Sequence, residues 1–231
     1  MGEFGRGIWE GLRLIFGGDA EVWRIVLLSL WVSGMALLFS MLSGIPLGAW
    51  IALSRFPGRR LLIAMVYTGM GLPPVVVGLF VYLMLSRSGP AGILGWLFTP
   101  WAMMLAQAII AFPLVMGLTL SAVKGINPRL RPQLVSLGAT PRQATLTLLK
   151  EARMGVIVAV IAGMGGIISE VGAVMMVGGN IEGHTRVMTT AIVLETRQGQ
   201  YSHAIALSFI LLSIAFVLNL ALLRLQGRSL D

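Results

Sequence analysis

The chain contains no cysteine. Disulfides, iron–sulfur clusters and thiolate zinc sites are therefore excluded, while the compartment stays open. Only two histidines occur, His184 and His203, so a His-rich metal site is not expected and no cofactor is implied. Acid is scarce as well: nine Asp+Glu stand against 17 Lys+Arg, a formal net charge of +8. Charge of either sign is missing from long stretches, and neither Ile25 to Ser54 nor Leu61 to Ser86 carries any. What fills those stretches is apolar, since 57% of the 231 residues are hydrophobic and the mean hydropathy is +0.89. That exceeds what a soluble core requires, and the chain belongs in a bilayer. In a soluble domain a charge of +8 would suggest nucleic acid. Here the arginines cluster at the ends of apolar runs, as topology signals do, so the partner is membrane lipid and no nucleic acid is expected.

The pattern predicts an all-α integral membrane protein with five crossings, over about 25–54, 61–86, 102–123, 154–178 and 204–223. Residues 1–24 mix Glu3, Glu10, Asp19 and Glu21 with Arg6, Arg13 and Arg24, while Phe4, Ile8, Leu12 and Ile15 recur at helical spacing. An amphipathic interfacial helix is the expectation there, because acids and glycines interrupt any signal-peptide core. In the first crossing Gly44-x-x-x-Gly48 offers a small-residue face for close packing. The second is broken by Pro73-Pro74, and carbonyls left unpaired by adjacent prolines are tolerated in a bilayer only where protein or a path satisfies them. The third contains Pro113, and the fourth is rich in glycine and alanine. A tail covers 226–231. By charge, Arg55, Arg59, Arg60, Arg224, Arg228 and the basic stretch 124–153 mark one side, which places the N-terminus outside and the C-terminus inside.

Residues 124–153 hold Lys124, Arg129, Arg131, Arg142, Lys150 and Arg153 against Glu151 alone. Asn127-Pro128 and Thr140-Pro141 each set an N-cap type residue ahead of a proline suited to a first helical turn. Gly138 falls between them, where a chain leaving one helix needs a positive φ. The expectation is a basic helix–Gly–helix knuckle. The run Leu137-Gly138-Ala139-Thr140, with Leu148 further on, resembles the EAA loop of type-1 ABC-transporter permeases. Pro132-Gln133 stand where that pattern opens with Glu-Ala, and Lys150-Glu151 where it closes with Leu-Pro. The resemblance implies a type-1 ABC importer permease fold over 25–225. It also implies a cytoplasmic coupling helix in which Leu137, Gly138, Ala139, Thr140, Pro141, Arg142 and Ala144 meet a separate ATPase subunit.

The stretch from Ser169 to Arg186 is similar to the oxyanion branch of those permeases, the molybdate, sulfate and tungstate group. The likeness lies in Glu170-Val171-Gly172-Ala173, Gly178-Gly179-Asn180-Ile181, Gly183-His184-Thr185 and the later Ala191-Ile192, together with Leu72-Pro73-Pro74. The wording Glu-Val-Gly-Ala-Val-Met-Met-Val-Gly-Gly-Asn is most similar to tungstate permeases. Physically, Glu170 is an ionisable group inside a crossing, which costs about 2.5 to 3.5 kcal/mol on insertion scales and calls for a function or a partner. Its sign is wrong for holding an anion. It is expected to gate or to brace, pairing with Arg186 or with backbone amides. Pro73, Pro74, Glu170, Gly172, Gly178, Gly179, Asn180, Thr185 and Arg186 are the candidate gate or path residues, with the glycine turn offering amides, Thr185 a hydroxyl and Arg186 a positive charge. Gly178-x-x-x-x-Gly183-His184-Thr185 has P-loop spacing but histidine in the lysine position and a transmembrane helix before it, so no nucleotide site is expected.

These features favour a non-enzymatic, channel-forming subunit without an ATP site of its own. The resemblance implies a homodimer, an ATP-binding subunit and an extracytoplasmic oxyanion-binding protein. An ion-coupled secondary transporter would bury more ionisable groups and show inverted repeats. An intramembrane enzyme would need paired acids, a histidine cluster or a Ser-Lys set within crossings.

Overall fold

The computed structural model describes residues 19–227, together with Gly5, Trp9, Arg13 and Gly17. Most of the interfacial segment expected over 1–24 and the end of the tail, 228–231, therefore lie outside the described residues. Asp19 is followed by the long helix α1 (Ala20–Leu53), which starts before the apolar run does. Asp19 is the cause: its carboxylate accepts from the amides of Glu21 and Val22, both at 3.0 Å, and so caps the helix.

The far end of α1 is closed by arginines. Arg59 donates from Nε to the Ile51 carbonyl at 2.8 Å and from Nη2 to that of Ala52 at 2.9 Å, and Arg131 Nη1 donates to Leu53 at 2.8 Å. Cations on the last carbonyls of a helix satisfy orphan acceptors and the macrodipole together. Gly58, with φ 83°, turns the chain into α2 (Arg59–Met70), and α3 (Pro74–Leu85) follows after a bend of 99°. Pro73 and Pro74 sit at the start of α3, where their missing N–H groups interrupt no helical bond.

The central helix is α4 (Pro100–Lys124), buried along most of its length and packed against α1, α2 and α3. Its close fit to α1 runs over the two predicted glycines. A Cβ on Gly48 would lie 2.5 Å from the Met116 carbonyl oxygen, and one on Gly44 3.3 Å from Phe112 O. Small residues there let two backbones touch.

Beyond α4 come the short helices α5 (Leu130–Ser136) and α6 (Pro141–Glu151), then α7 (Arg153–Ile168) and α8 (Gly172–Gly178). The run expected as one crossing over 154–178 is thus two helices, parted at residues 169–171. Glu170 stands in that gap rather than within a helix. A further helix that the sequence did not suggest, α9 (Met188–Arg197), leads into α10 (Tyr201–Gly227), which begins before and ends beyond the expected 204–223. Both α7 and α8 pack on α4.

Among the described residues, three helices are long and apolar enough to cross a membrane, or up to five where bent helix pairs count as one span. Large apolar side chains stay exposed on α3 (Val75, Val76, Phe80) and α10 (Leu212, Phe216). Water would make such faces aggregate, whereas lipid or another subunit accommodates them.

The close α1–α4 contact gives a first prediction. Gly48→Ala destabilises the protein by about 1 to 3 kcal/mol, because the obstruction is backbone that cannot swing away. Gly34→Ala, on an exposed part of the same helix with nothing within 4 Å, leaves stability unchanged or raises it by up to about 1 kcal/mol. Thermal unfolding of the two variants in detergent checks the pair.

Candidate functional site

At one end of the bundle the knuckle is built as a capped hinge. Gly138 takes φ 88°, its amide donates to the Val135 carbonyl at 3.0 Å, and the Ala139 amide reaches back to Leu134 at 3.0 Å. That is the Schellman arrangement, and a positive φ makes glycine the residue for it. Thr140 then opens α6 with a reciprocal cap: its hydroxyl accepts from the Gln143 amide at 3.3 Å, while the Gln143 side chain accepts from the Thr140 amide at 2.8 Å. Asn127 acts differently from the expected helix cap. Its side chain accepts from the Arg129 amide at 3.0 Å, closing a turn ahead of α5.

The knuckle presents apolar side chains outward. Leu137 is 84% exposed and Leu146 67%, with Pro141 and Arg142 also exposed. Ala144, expected among the contact residues, is fully buried, as is Leu148, so these two hold α6 to the bundle instead of facing a partner.

The two breaks lie against each other. A Cβ on Gly172 would stand 2.9 Å from Val75 Cγ2, and one on Gly78 2.7 Å from the Ala173 Cα, so α3 and the short helix α8 meet at backbone distance just beyond Pro73-Pro74 and Glu170. Glu170 Oε1 accepts from the Ala173 amide at 3.0 Å and caps the start of α8. Its backbone carbonyl accepts from Thr189 Oγ1 at 3.0 Å. Of the two partners expected for the Glu170 carboxylate, the backbone amide is the one present.

Arg186 lies elsewhere, in the turn after α8. Its Nη1 is 3.8 Å from Glu21 Oε1 and 3.5 Å from Glu182 Oε2. Together with Arg24 these groups wall a recess of about 240 Å³ between the first turn of α1 and the glycine turn. Two guanidinium groups facing two carboxylates leave that recess formally neutral. Arg186 bridges the turn to α1 and is not a free anion receptor in this conformation.

Within the turn, Gly179 (φ 71°), Asn180 (φ 51°) and Gly183 (φ 70°) bend the chain back on itself. The amides of His184, Thr185 and Arg186 all donate to the Ile181 carbonyl, at 3.2, 2.9 and 3.0 Å. The amide of Ile181 donates to Thr185 Oγ1 at 2.9 Å, and that hydroxyl spends its proton on the Gly178 carbonyl at 2.6 Å. These four amides and the Thr185 hydroxyl proton are taken up within the turn, so none of them is offered to an anion here. Phe98, itself at φ 61°, lies against Gly179 and donates its amide to the Val177 carbonyl at 2.9 Å.

Pro73, Pro74, Glu170 and Gly172 therefore form one cluster. Gly178, Gly179, Asn180, Thr185 and Arg186 form a second at the start of α1, and the knuckle residues a third at its end. Sequence reasoning missed Gln107, whose Nε2 donates to the Ile167 carbonyl at 2.9 Å, and Ser29, whose hydroxyl accepts from the Met188 amide at 2.8 Å. A polar residue in a charge-free apolar run was the available signal for both.

Broken crossings that meet inside an apolar bundle, with a capped basic projection at one end, define a multi-pass membrane transport component. Residues 44–229 match the family described as binding-protein-dependent transport system inner membrane component, and the chain belongs to that family. It is 40% identical to the tungstate uptake system permease protein TupB of Peptoclostridium acidaminophilum, over 95% of this chain and 96% of that one. It is 41% identical to a probable anion ABC transporter permease protein of Haloferax volcanii, over 89% and 90%. Against the molybdenum transport system permease protein ModB of Escherichia coli K12 the identity is 31%, over 84% and 89%. Among solved structures, a bacterial ABC transporter involved in import of the acidic polysaccharide alginate shares the fold, with TM-score 0.72 at 23% identity over 90% of this chain and 79% of that one.

The pinned turn supplies a second prediction. Thr185→Val keeps the side-chain shape, strands the Gly178 carbonyl and the Ile181 amide, and lowers stability by about 1 to 3 kcal/mol, read by thermal unfolding in detergent.

Proposed function

We propose that this chain is the membrane-spanning subunit of an ATP-driven importer for a tetrahedral oxyanion, tungstate first and molybdate or sulfate next. The observation that carries the reading is the end-to-end match to a tungstate permease, with identity falling from 40% to 31% towards a molybdenum permease. The substrates differ little in size and share their charge, so selection between them falls to a soluble binding protein that delivers the anion. Two copies of the chain enclose the path, since five crossings are few to surround one. The knuckle faces the cytoplasm and the Arg186 turn faces outward, following the distribution of Lys and Arg.

In this scheme Leu137, with Gly138, Ala139, Thr140, Pro141 and Arg142 around it, seats in a separate ATPase subunit, and Ala144 supports them from behind. An exposed leucine on a rigid capped turn is an apolar anchor for a partner pocket. The cluster of Pro73, Pro74, Glu170 and Gly172 forms the gate. Glu170 braces α8 through the Ala173 amide, and its negative charge opposes an anion that reaches it out of turn. The turn from Gly178 to Arg186 meets the binding protein.

Vesicles containing the chain, its ATPase and its binding protein take up tungstate only when ATP is supplied. Leu137→Asp releases the ATPase in co-purification and abolishes uptake, while the subunit itself stays folded. ATP-independent uptake by the subunit alone would overturn the reading in favour of an ion-coupled carrier. Glu170→Gln weakens the cap on α8 and alters the rate of ATP-driven uptake, and a wild-type rate would remove the gating role.

A further inference from the structure

Gln107 lies inside α4, 4% exposed, and no step described so far uses it. A buried carboxamide in a lipid-embedded bundle is costly unless its groups are bonded, and an apolar side chain would fill the same space without that cost. Its Nε2 donates across the α4–α7 contact to the Ile167 carbonyl, while its Oε1 has no partner. The side chain is thus placed for its donor and is not one link in a closed network.

Ile167 lies in the last turn of α7, one residue before its end. The same carbonyl accepts from the Ser169 amide and, at 3.2 Å, from the Glu170 amide, after which the chain leaves the helix for residues 169–171. Within that break, the Glu170 carbonyl is held by Thr189, a residue 6% exposed on α9. The α7 flank and the break itself are therefore tied to different helices, each by a buried side chain. Ser169 Oγ donates to the Gly165 carbonyl at 2.8 Å and dresses the last turn of α7.

We infer that Gln107 is a positioning residue for transport. It clamps the hinge between α7 and α8, which keeps the Glu170 carboxylate on the Ala173 amide and makes α8 move together with α3, against which it packs at backbone distance. Gln107 does not touch the anion; it acts through Ile167 and Glu170. The inference rests on the transporter reading above and names a part of its moving machinery.

The test uses Gln107→Met, similar in volume but without a donor, in two measurements. In the first, hydrogen exchange is followed on the full-length subunit at the amides of residues 168–173. Loss of the clamp raises it by about fivefold, the factor expected from one hydrogen bond. In the second, the complete complex in vesicles is assayed for tungstate taken up per ATP hydrolysed. That ratio falls by about fivefold while hydrolysis persists, because a loosened hinge lets the motor turn without moving the gate. Unchanged exchange, or uptake and hydrolysis falling together, overturns the inference, since a purely structural glutamine would do one or the other. Should Gln107→Met fail to assemble, Thr189→Val removes only the hydroxyl that holds the break itself and must raise exchange at the same amides. If wild-type vesicles show no ATP-driven uptake, the transporter reading falls, and the exchange measurement still decides the clamp.

Discussion

A backbone that leaves helical geometry inside a bilayer finds no water, so every carbonyl and amide it frees must be met by the protein itself. This constraint shapes the chain wherever a helix ends or breaks. The last carbonyls of α1 are taken by two arginines. The start of α3 is given to prolines, which have no amide to satisfy. The gap between α7 and α8 is closed by Gln107, Thr189 and the carboxylate of Glu170, and the glycine turn closes on Thr185 and the Ile181 carbonyl. Few polar groups exist in this chain, and those near the breaks are placed on freed backbone. Their chemistry is structural: each meets a backbone group that a helix no longer serves.

Close approach of helices is the second organising element. Glycines at Gly44 and Gly48 let α1 touch α4, and at Gly78 and Gly172 they let α3 touch α8. The two contacts have different consequences. The first joins two long helices into a fixed frame, while the second joins two short segments, each following a break in its own crossing. A closely packed pair of long helices thus adjoins a pair of short pieces bounded by non-helical chain.

Much of this was legible in the sequence, for identifiable reasons. The all-helical membrane class followed from charge-free runs, the knuckle from Thr140-Pro141 and Gly138, and the tight helix pair from Gly44 and Gly48, because local steric rules act within a few residues. The break at Glu170 was not legible. Val171, Gly172 and Ala173 continue the apolar pattern, and the side chains that meet the break, Gln107 and Thr189, come from distant parts of the chain. Helix α9 was missed because Met188 to Arg197 mixes polar and apolar residues without a clear period, and its first turn is set by the Thr190 hydroxyl, which accepts from the Val187 amide at 3.1 Å. Arg186 looked available for an anion because sequence separation concealed Glu21. Exposure likewise divided the coupling set, since spacing alone did not show that Ala144 turns inward.

The arginine at the foot of α1 has a mechanical side. Arg131 belongs to the knuckle and grips Leu53, while at the opposite tip Glu21 faces Arg186 of the glycine turn. Between them runs a single helix of 34 residues, about 51 Å of continuous rise at 1.5 Å per residue. One uninterrupted helix thus joins the Arg131 contact at one end to the Arg186 contact at the other, and it bypasses both broken crossings.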